Sequence, residues 1–239
     1  MGDAAPNHVI DPDAPSAARV VYDHFGGAER FPQVSEELLV AVDQADSAAY
    51  APNDILDPQG WTLLNFIMDS RTGLGRFRDF RISNYELMMD LIEACIRHET
   101  VDGILALPDV AERVVLYREQ RDLFVAQLRR VSRLHGDVVV VDLRGEGVIH
   151  AGNRFMVYAL FPEARVSVHV IPGKEGRNTV LAVGRSIVDR SSTADIGGAM
   201  LRHGGGGHRA AGTCQVAHDR AEEVLEDVIR AVSSSPVAA

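Results

Sequence analysis

Hydrophobic positions in the first half of the chain predict a series of helices. Four stretches carry helical spacing, helix-start signals or helix-stop signals. They predict helices over residues 16–25, from about residue 35, over residues 61–68 and after residue 83. Ser83 and Glu86 also have the spacing of a capping box, which indicates where the last of these helices begins. The N-terminal half is therefore predicted to be rich in helix.

The longest helix is predicted to begin at Pro108, because proline suits the first turn of a helix. It is predicted to reach about Leu134, just before Gly136. Its apolar side chains form one stripe, at Val114, Val115, Leu123, Phe124, Leu128 and Val131. A long helix with a single apolar stripe is typical of a segment that bridges two domains. Formation of a homodimer through this helix is an alternative.

After Gly136 the pattern changes to strands mixed with helices. Runs of β-branched residues predict strands at 138–143, 166–171, 180–183 and 213–216, and helical patterns are present at 194–202 and 220–232. This mixture is typical of a compact α/β domain. We therefore divide the chain into an N-terminal part at residues 1–107, a connecting helix at 108–135 and an α/β domain at 136–239.

The net charge of the chain limits the classes of ligand that it is expected to bind. The formal net charge of −10 disfavours non-specific binding of long nucleic acid, because such binding requires many cations at the phosphates. A short oligonucleotide or a nucleotide phosphate in a local basic pocket is compatible with this charge. A chain rich in carboxylates also suits a protein that binds divalent metal.

The chain shows no signal for a membrane or for export. No stretch approaches the roughly 18 apolar residues that a membrane-spanning helix requires. Residues 1–15 have neither the basic start nor the apolar centre of a signal peptide. Cys95 and Cys214 lack the spacing of metal ligands, so we expect two reduced thiols. These observations predict a cytoplasmic protein.

The most informative stretch is a run of four glycines followed by His-Arg-Ala-Ala-Gly. Each glycine loses much backbone entropy on folding, so a run within a domain suggests backbone that lies close to a ligand rather than a role in packing. Exposed backbone amides of this kind commonly bind phosphate. The candidate phosphate-binding residues are Gly204, Gly205, Gly206, Gly207, His208 and Arg209. A flexible linker is the alternative, and the lysine of a P-loop is missing.

The glycine run resembles the signature of the DHHA1 substrate-binding domain, which accompanies the catalytic domain of DHH phosphoesterases. The resemblance extends over about residues 137–232. Upstream, Arg190 and Ser191 match the family's substrate-contacting Arg-Ser element, and Arg185 is a second candidate for that role. The family includes RecJ-like exonucleases, oligoribonucleases that also act on phosphoadenosine phosphate, cyclic-dinucleotide phosphodiesterases and exopolyphosphatase-like proteins.

The resemblance implies an α/β protein in which an incomplete, helix-rich C-terminal half of a DHH catalytic domain is joined by a long helix to a DHHA1 domain. It implies a metal-dependent hydrolase of short oligonucleotides, nucleotide phosphates or polyphosphate. Complete members bind two Mn²⁺ or Mg²⁺ ions. Because the Asp-His-His motif is absent, we expect the chain to begin just after it. The alternative is an inactive fragment that binds nucleotide or phosphate through the glycine run.

The same resemblance implies which carboxylates would bind metal. Asp43 and Asp46 are three residues apart on one face of a predicted helix, where the family has a metal-bridging aspartate, and Asp46 is the preferred match. Asp69 is a rival, and Arg71 lies in a glycine-broken basic loop that is a candidate for substrate contact. Solvated surface carboxylates and a structural turn are the alternatives. Loss of part of the catalytic domain would also expose apolar faces on helices such as the one at 61–68.

Overall fold

The protein is described by a computed structural model that covers residues 9–97 and 100–234. Contacts between residues divide the chain into two units, Met1–Arg118 and Glu119–Ala239. The division falls within the longest helix, Pro108–Val131.

The described part of the first unit is built from helices and short 3₁₀ turns. The helices are α1 (Ala17–His24), α2 (Gly27–Arg30), α3 (Glu36–Ser47), α4 (Pro52–Leu56), α5 (Gly60–Met68), α6 (Asn84–Ile96), α7 (Val101–Leu105) and α8 (Pro108–Val131). The four predicted helices are confirmed as α1, α3, α5 and α6. Helices α2, α4 and α7 were not predicted, because four or five residues are too few to show a helical period.

Side-chain caps explain where the predicted helices begin. The hydroxyl of Ser16 accepts the N–H of Arg19 at the start of α1. At α6 the capping box is complete, since Ser83 Oγ accepts the N–H of Glu86 and the Glu86 carboxylate accepts the N–H of Ser83. Each such cap satisfies donors that the first helical turn leaves unpaired.

An apolar groove of about 460 Å³ lies among α3, α5 and α6. Its lining includes Leu38, Val42, Trp61, Leu64, Met68, Met88 and Ile92. The expectation that the helix at 61–68 would expose an apolar face is wrong for α5, because Leu63, Leu64, Phe66 and Ile67 are buried. The exposed apolar side chains along this groove are Met88, Ile92 and Ile96 of α6.

The predicted end of the longest helix is wrong. Helix α8 stops at Val131, and Ser132–His135 form strand β1, which pairs antiparallel with β2 (Val138–Asp142). Gly136 adopts a φ of +64° in the two-residue connection, a conformation that glycine tolerates and most residues avoid. Pairing with the buried strand β2 therefore overrides the continuous helical pattern.

The second unit contains one six-stranded sheet with the strand order β1-β2-β3-β4-β6-β5. The remaining strands are β3 (Val166–Pro172), β4 (Thr179–Arg185), β5 (Gly206–His208) and β6 (Ala211–Val216). Strands β2 and β3 are parallel and all other neighbours are antiparallel. The predicted strands are confirmed as β2, β3, β4 and β6. Helices α10 (Ile196–Leu201) and α11 (Ala221–Val232) were also predicted, whereas α9 (Met156–Leu160) was not.

One face of this sheet forms the main core of the second unit. Alternate residues of the strands pack against α10 and α11 and are almost fully buried, among them Val138, Val168, Leu181, Cys214, Ile196, Met200, Val224 and Val228. The alternation of buried and outward residues follows from the period of two along a strand. No helix within residues 9–97 and 100–234 is long and apolar enough to cross a membrane.

Candidate functional site

The glycine run forms the edge strand of the sheet. Gly206 pairs with Thr213 and His208 pairs with Ala211, so that Arg209 and Ala210 make a two-residue turn between β5 and β6. The interpretation of this segment as a flexible linker is therefore wrong, because its backbone belongs to a hydrogen-bonded ladder. The run sits at an open edge of the sheet, where it is accessible from one side.

Close packing explains two of the four glycines. A Cβ atom on Gly205 would lie 2.0 Å from the carbonyl oxygen of Thr213, and a Cβ on Gly207 would lie 2.2 Å from that of Ala211. Gly204 has a left-handed φ of +76°, which favours glycine. The expectation that the run has no packing role is therefore wrong. Gly206 differs, since a Cβ there would meet no atom within 4 Å.

Two of the glycine amides are already hydrogen-bonded within the fold. The N–H of Gly204 donates to the carbonyl of Leu201 at 3.1 Å, and the N–H of Gly205 donates to that of Met200 at 3.0 Å. These bonds satisfy carbonyl groups at the end of α10, as glycines commonly do after a helix. The expected cradle of backbone amides is thus reduced to the residues of β5.

His208 and Arg209 are exposed at the tip of the hairpin. The Nδ1 atom of His208 accepts the N–H of Ala210 at 3.2 Å, so in the neutral ring the proton resides on Nε2. The carbonyl of Arg209 accepts the N–H of Ile196 at 3.1 Å. Among the described residues the Arg209 guanidinium makes no ion pair, and both side chains can therefore donate to an anion.

The structure distinguishes between the two arginine candidates upstream of the hairpin. Arg185 Nε donates to the carbonyl of Ala194 at 2.8 Å, and its Nη2 atom contacts the same oxygen. Arg190 is exposed, with Nε 3.1 Å from the carbonyl of Ile187. Ser191 is exposed beside it, and its N–H donates to Asp189 at 2.9 Å. Arg185 thus stabilises the loop and is partly buried, whereas the side chain of Arg190 is exposed to solvent.

Helix α10 joins this loop to the hairpin. A Cβ on Gly197 would lie 3.0 Å from the carbonyl oxygens of both Gly207 and His208. On β6, a Cβ on Gly212 would lie 2.8 Å from the carbonyl oxygen of Gly206. Sequence reasoning missed the part that Gly197 and Gly212 play in seating the glycine hairpin. The signal in the sequence was the presence of two further glycines close to the glycine run, because a glycine in a strand often marks the close approach of another backbone.

In the first unit, Asp43 is engaged within the fold. Ser16 Oγ donates to Oδ1 at 2.6 Å, and Arg19 Nε donates to Oδ2 at 2.9 Å. Burial raises the pKa of Asp43, but the hydrogen bonds from Ser16 and Arg19 outweigh it, so the pKa is lowered and the carboxylate stays charged. Asp46, the preferred metal ligand, is exposed on the same helix.

Asp69 and Arg71 neutralise each other. The Arg71 guanidinium approaches Oδ1 through Nε at 2.8 Å and Oδ2 through Nη2 at 2.8 Å, and the Arg71 N–H also donates to Oδ1. Asp69 caps a short 3₁₀ turn in this way. Within the part of the chain that the structure describes, no three His, Cys, Asp or Glu residues are grouped so that they could hold a metal ion.

Asp46 and Asp69 nevertheless act on the same buried tyrosine. The hydroxyl of Tyr50 accepts a hydrogen bond from Asn65 Nδ2 at 2.8 Å. Burial raises the pKa of Tyr50, the hydrogen bond from Asn65 lowers it, and the charges of Asp46, Asp54 and Asp69 raise it. Asp46 and Asp69 form no ligand set with a third residue in the described part of the chain.

Comparisons with known proteins yield a close structural match. No protein-family model and no curated protein matches the chain. A solved structure of a pGpG-specific phosphodiesterase, PggH from Vibrio cholerae, is 51% identical, with a TM-score of 0.85 over 95% of this chain and 76% of that one.

More distant solved structures were also found. A DHH-domain protein, described as a member of a family of ribosomal proteins, has a TM-score of 0.50 at 14% identity, over 89% of this chain and 52% of that one. An exopolyphosphatase-related protein from Bacteroides fragilis has a TM-score of 0.42 at 15% identity, over 83% of this chain and 57% of that one. The first of these shows similarity of fold, and the second is too distant to support an argument.

Proposed function

This chain belongs to the DHH/DHHA1 superfamily of phosphoesterases, and on that basis we propose that it is a phosphodiesterase that acts on short oligonucleotides such as the guanine dinucleotide pGpG. The observation that carries the proposal is the 51% identity with the pGpG-specific phosphodiesterase across 95% of the chain. A nucleotide substrate also suits the candidate residues of the second unit.

These residues would bind and orient the phosphates. In the neutral His208 ring, Nε2 carries a proton that is available to a phosphate oxygen, since Nδ1 is occupied by Ala210. Arg209 places a positive charge next to it at an exposed turn. Arg190 could pair with a second phosphate, because a planar guanidinium matches two oxygens of a phosphate group. Local cations of this kind allow a chain of net charge −10 to bind a short anionic ligand.

Divalent metal is a separate part of the proposal. Two Mn²⁺ or Mg²⁺ ions would polarise the phosphoryl group and lower the pKa of an attacking water in a reaction of this class. The described carboxylates do not fit a pair of ions, since Asp43 is bound by Ser16 and Arg19 and Asp69 is bound by Arg71. Asp46 remains the candidate ligand, and we derive no hydrolytic step through metal from these residues.

The poor fit of the described carboxylates to a pair of metal ions favours a second function, in which the chain binds a nucleotide without hydrolysing it. A two-metal reaction requires several ligands that hold both ions about 3.5–4 Å apart. No group of three potential ligands is present among residues 9–97 and 100–234. A chain that retains the second unit with its arginine and histidine donors could still bind pGpG tightly.

One assay separates the two functions. The release of GMP from pGpG would be followed by chromatography with Mn²⁺, with Mg²⁺ and with chelator, alongside direct measurement of pGpG binding. The variants are Asp46→Ala and His208→Ala, and the control is His135→Ala, which changes an exposed histidine on the opposite edge strand of the same sheet. Phosphoadenosine phosphate and polyphosphate serve as alternative substrates.

Metal-dependent turnover that is lost in the Asp46 and His208 variants and kept in the control supports a phosphodiesterase. Binding that depends on His208 without turnover supports the binding function. If the wild-type chain neither binds nor cleaves pGpG, both proposals are wrong.

A further inference from the structure

The face of the sheet that points away from α10 and α11 is buried along β2 and accessible along β6 and β5. Val139 and Val141 on β2 are fully buried on this face. His169 on β3 and Ala182 on β4 are partly buried, and Thr213 on β6 is exposed. Tyr158 extends this cover over Ser167 and Gly184, since its hydroxyl lies 2.7 Å from Ser167 Oγ and donates to the carbonyl of Gly184 at 2.9 Å. The cover therefore ends at β3 and at this end of β4, and the rest of β4, β6 and β5 is accessible.

The strand register places two rows of residues across this face, and Tyr158 covers the second row where it crosses β3 and β4. The first row is His169, Ala182, Thr213 and Gly206, and the second is Ser167, Gly184, Ala211 and His208. Residues that are directly opposite in neighbouring strands point to the same side of a sheet. His169 and His208 therefore lie at opposite margins of one surface, which we call the open strip.

The floor of the open strip is made of small residues. Between the two histidines the uncovered positions are Ala182, Thr213, Gly206 and Ala211, of which Thr213 has the largest side chain. Gly206 is free of packing constraints, since a Cβ atom there would meet nothing within 4 Å. Three strand spacings separate the backbones of His169 and Gly206, about 14 Å in all. The strip is thus long enough for a planar group that is connected to a phosphate.

The two histidines at its margins offer different chemistry. His208 is exposed beside Arg209, in a position that suits an anion. His169 is partly buried, and its ring nitrogens have no hydrogen-bond partner among the described residues. Burial lowers the pKa of His169 to about 4, so its ring is uncharged at neutral pH. An uncharged imidazole presents one donor and one acceptor, which matches an uncharged polar group better than a phosphate.

We propose that the open strip binds a nucleobase against its glycine and alanine floor, and that His169 is a specificity-determining residue that hydrogen-bonds to the edge of that base. The phosphate then lies toward His208. This inference rests on the proposed function, because it assigns the base subsite to the same nucleotide ligand. It adds His169, which belongs neither to the glycine run nor to the upstream arginine candidates, to the residues proposed to contact the ligand.

Binding measurements on the whole chain test the assignment. The probes are guanosine 5′-monophosphate and ribose 5-phosphate, which has a hydroxyl group in place of the base, and their binding is measured by calorimetry at neutral pH. His169→Leu should weaken binding of guanosine monophosphate about tenfold, the effect of one lost hydrogen bond in a site, and should leave ribose 5-phosphate unchanged. His169→Gln should recover part of the loss, because glutamine retains an uncharged donor and acceptor. His208→Ala should weaken both probes, and His135→Ala should change neither.

Equal losses for both probes in His169→Leu, or no loss for either, would overturn the base assignment. Absence of measurable guanosine monophosphate binding to the wild-type chain would overturn it as well. Melting temperatures of the variants distinguish a local effect from unfolding, since His169→Gln should melt close to wild type. The outcome is independent of catalysis: absence of pGpG cleavage would contradict the phosphodiesterase proposal and leave a His169-dependent base subsite standing.

Discussion

The guanidinium of Arg19 donates from both Nε and Nη2 to Oδ2 of Asp43, at 2.9 and 2.5 Å. The partner residues belong to α1 and α3, and Ser16 Oγ occupies the other carboxylate oxygen at 2.6 Å. A carboxylate with both oxygens committed in this way stabilises the packing of two helices. Asp43 is therefore a structural residue in this chain, although its spacing from Asp46 suggested a ligand pair.

Replacement of Asp43 should cost stability, and replacement of Asp46 should not. Asp43→Asn removes a charge that Arg19 and Ser16 bind, and because the pair is partly solvent-screened we expect a loss of about 1 kcal/mol in the free energy of unfolding. Asp46→Asn changes an exposed carboxylate and should stay within about 0.5 kcal/mol of wild type. Urea unfolding of both variants measures the difference. Equal effects would contradict the assignment of Asp43 to the fold.

Two adjacent glycines should respond in opposite ways to alanine. Gly207→Ala would place a Cβ 2.2 Å from the carbonyl oxygen of Ala211, and we expect a loss of more than about 2 kcal/mol in unfolding free energy. Gly206→Ala meets no atom within 4 Å and should be neutral or stabilising by roughly 0.5–1 kcal/mol. Its methyl group would project onto the open strip, so binding of pGpG should weaken.

Urea unfolding and pGpG titration of the two glycine variants test this contrast. A Gly206→Ala protein that is as unstable as Gly207→Ala would show that packing explains the whole run. A stable Gly206→Ala protein with unchanged pGpG affinity would show that the ligand does not approach this position.

The buried guanidinium of Arg113 should be among the most sensitive positions of the first unit. It donates to Asn84 Oδ1 at 3.0 Å, to the carbonyl of Asp109 at 2.7 Å and to the carbonyl of Ile82 at 2.8 Å. The guanidinium carbon lies 4.0 Å from the centroid of the Phe80 ring. Arg113→Ala leaves these acceptors unpaired around a cavity, so we expect a loss of about 3 kcal/mol or more.

The exposed Arg118, on the same helix, provides the matched control for Arg113. Arg118→Ala should change the unfolding free energy by less than about 0.5 kcal/mol. Thermal and urea unfolding of the two variants give the comparison, and similar stabilities would contradict a structural role for the buried guanidinium.

Glu146 should make stability depend on acid pH. Its carboxylate accepts hydrogen bonds from Arg130 and from Gln127, and these bonds lower its pKa from 4.5 to about 2. Because the pKa is lower in the folded chain, the stabilising contribution is complete above pH 4.5 and disappears as the pH falls through about 2. The difference in urea midpoint between wild type and Glu146→Gln should therefore be constant from about pH 5 to 8 and shrink below about pH 4. A constant difference down to about pH 2 would show that the ion pair carries no stabilisation.

Local sequence signals were sufficient where an element depends on its own residues. The Ser83–Glu86 capping box located the start of α6, and β-branched runs located β2 and β3, because caps and side-chain periodicity act over a few residues. Such signals do not indicate which segments of the chain pair with each other in a sheet. Strand β1 was therefore predicted as helix, and β5 was predicted as a phosphate-binding loop.

The sequence alone determined the helix-rich and α/β halves, most of their elements, and the glycine run with His208 as the candidate contact for a phosphate. The tertiary structure decided which of those residues are available to a ligand. It showed that Gly205 and Gly207 are required by backbone contacts, and that Asp43 is held by Arg19, a residue 24 positions away. The physical reason is that propensity and periodicity are local properties of the chain, whereas close approach and charge pairing depend on residues that only folding brings together.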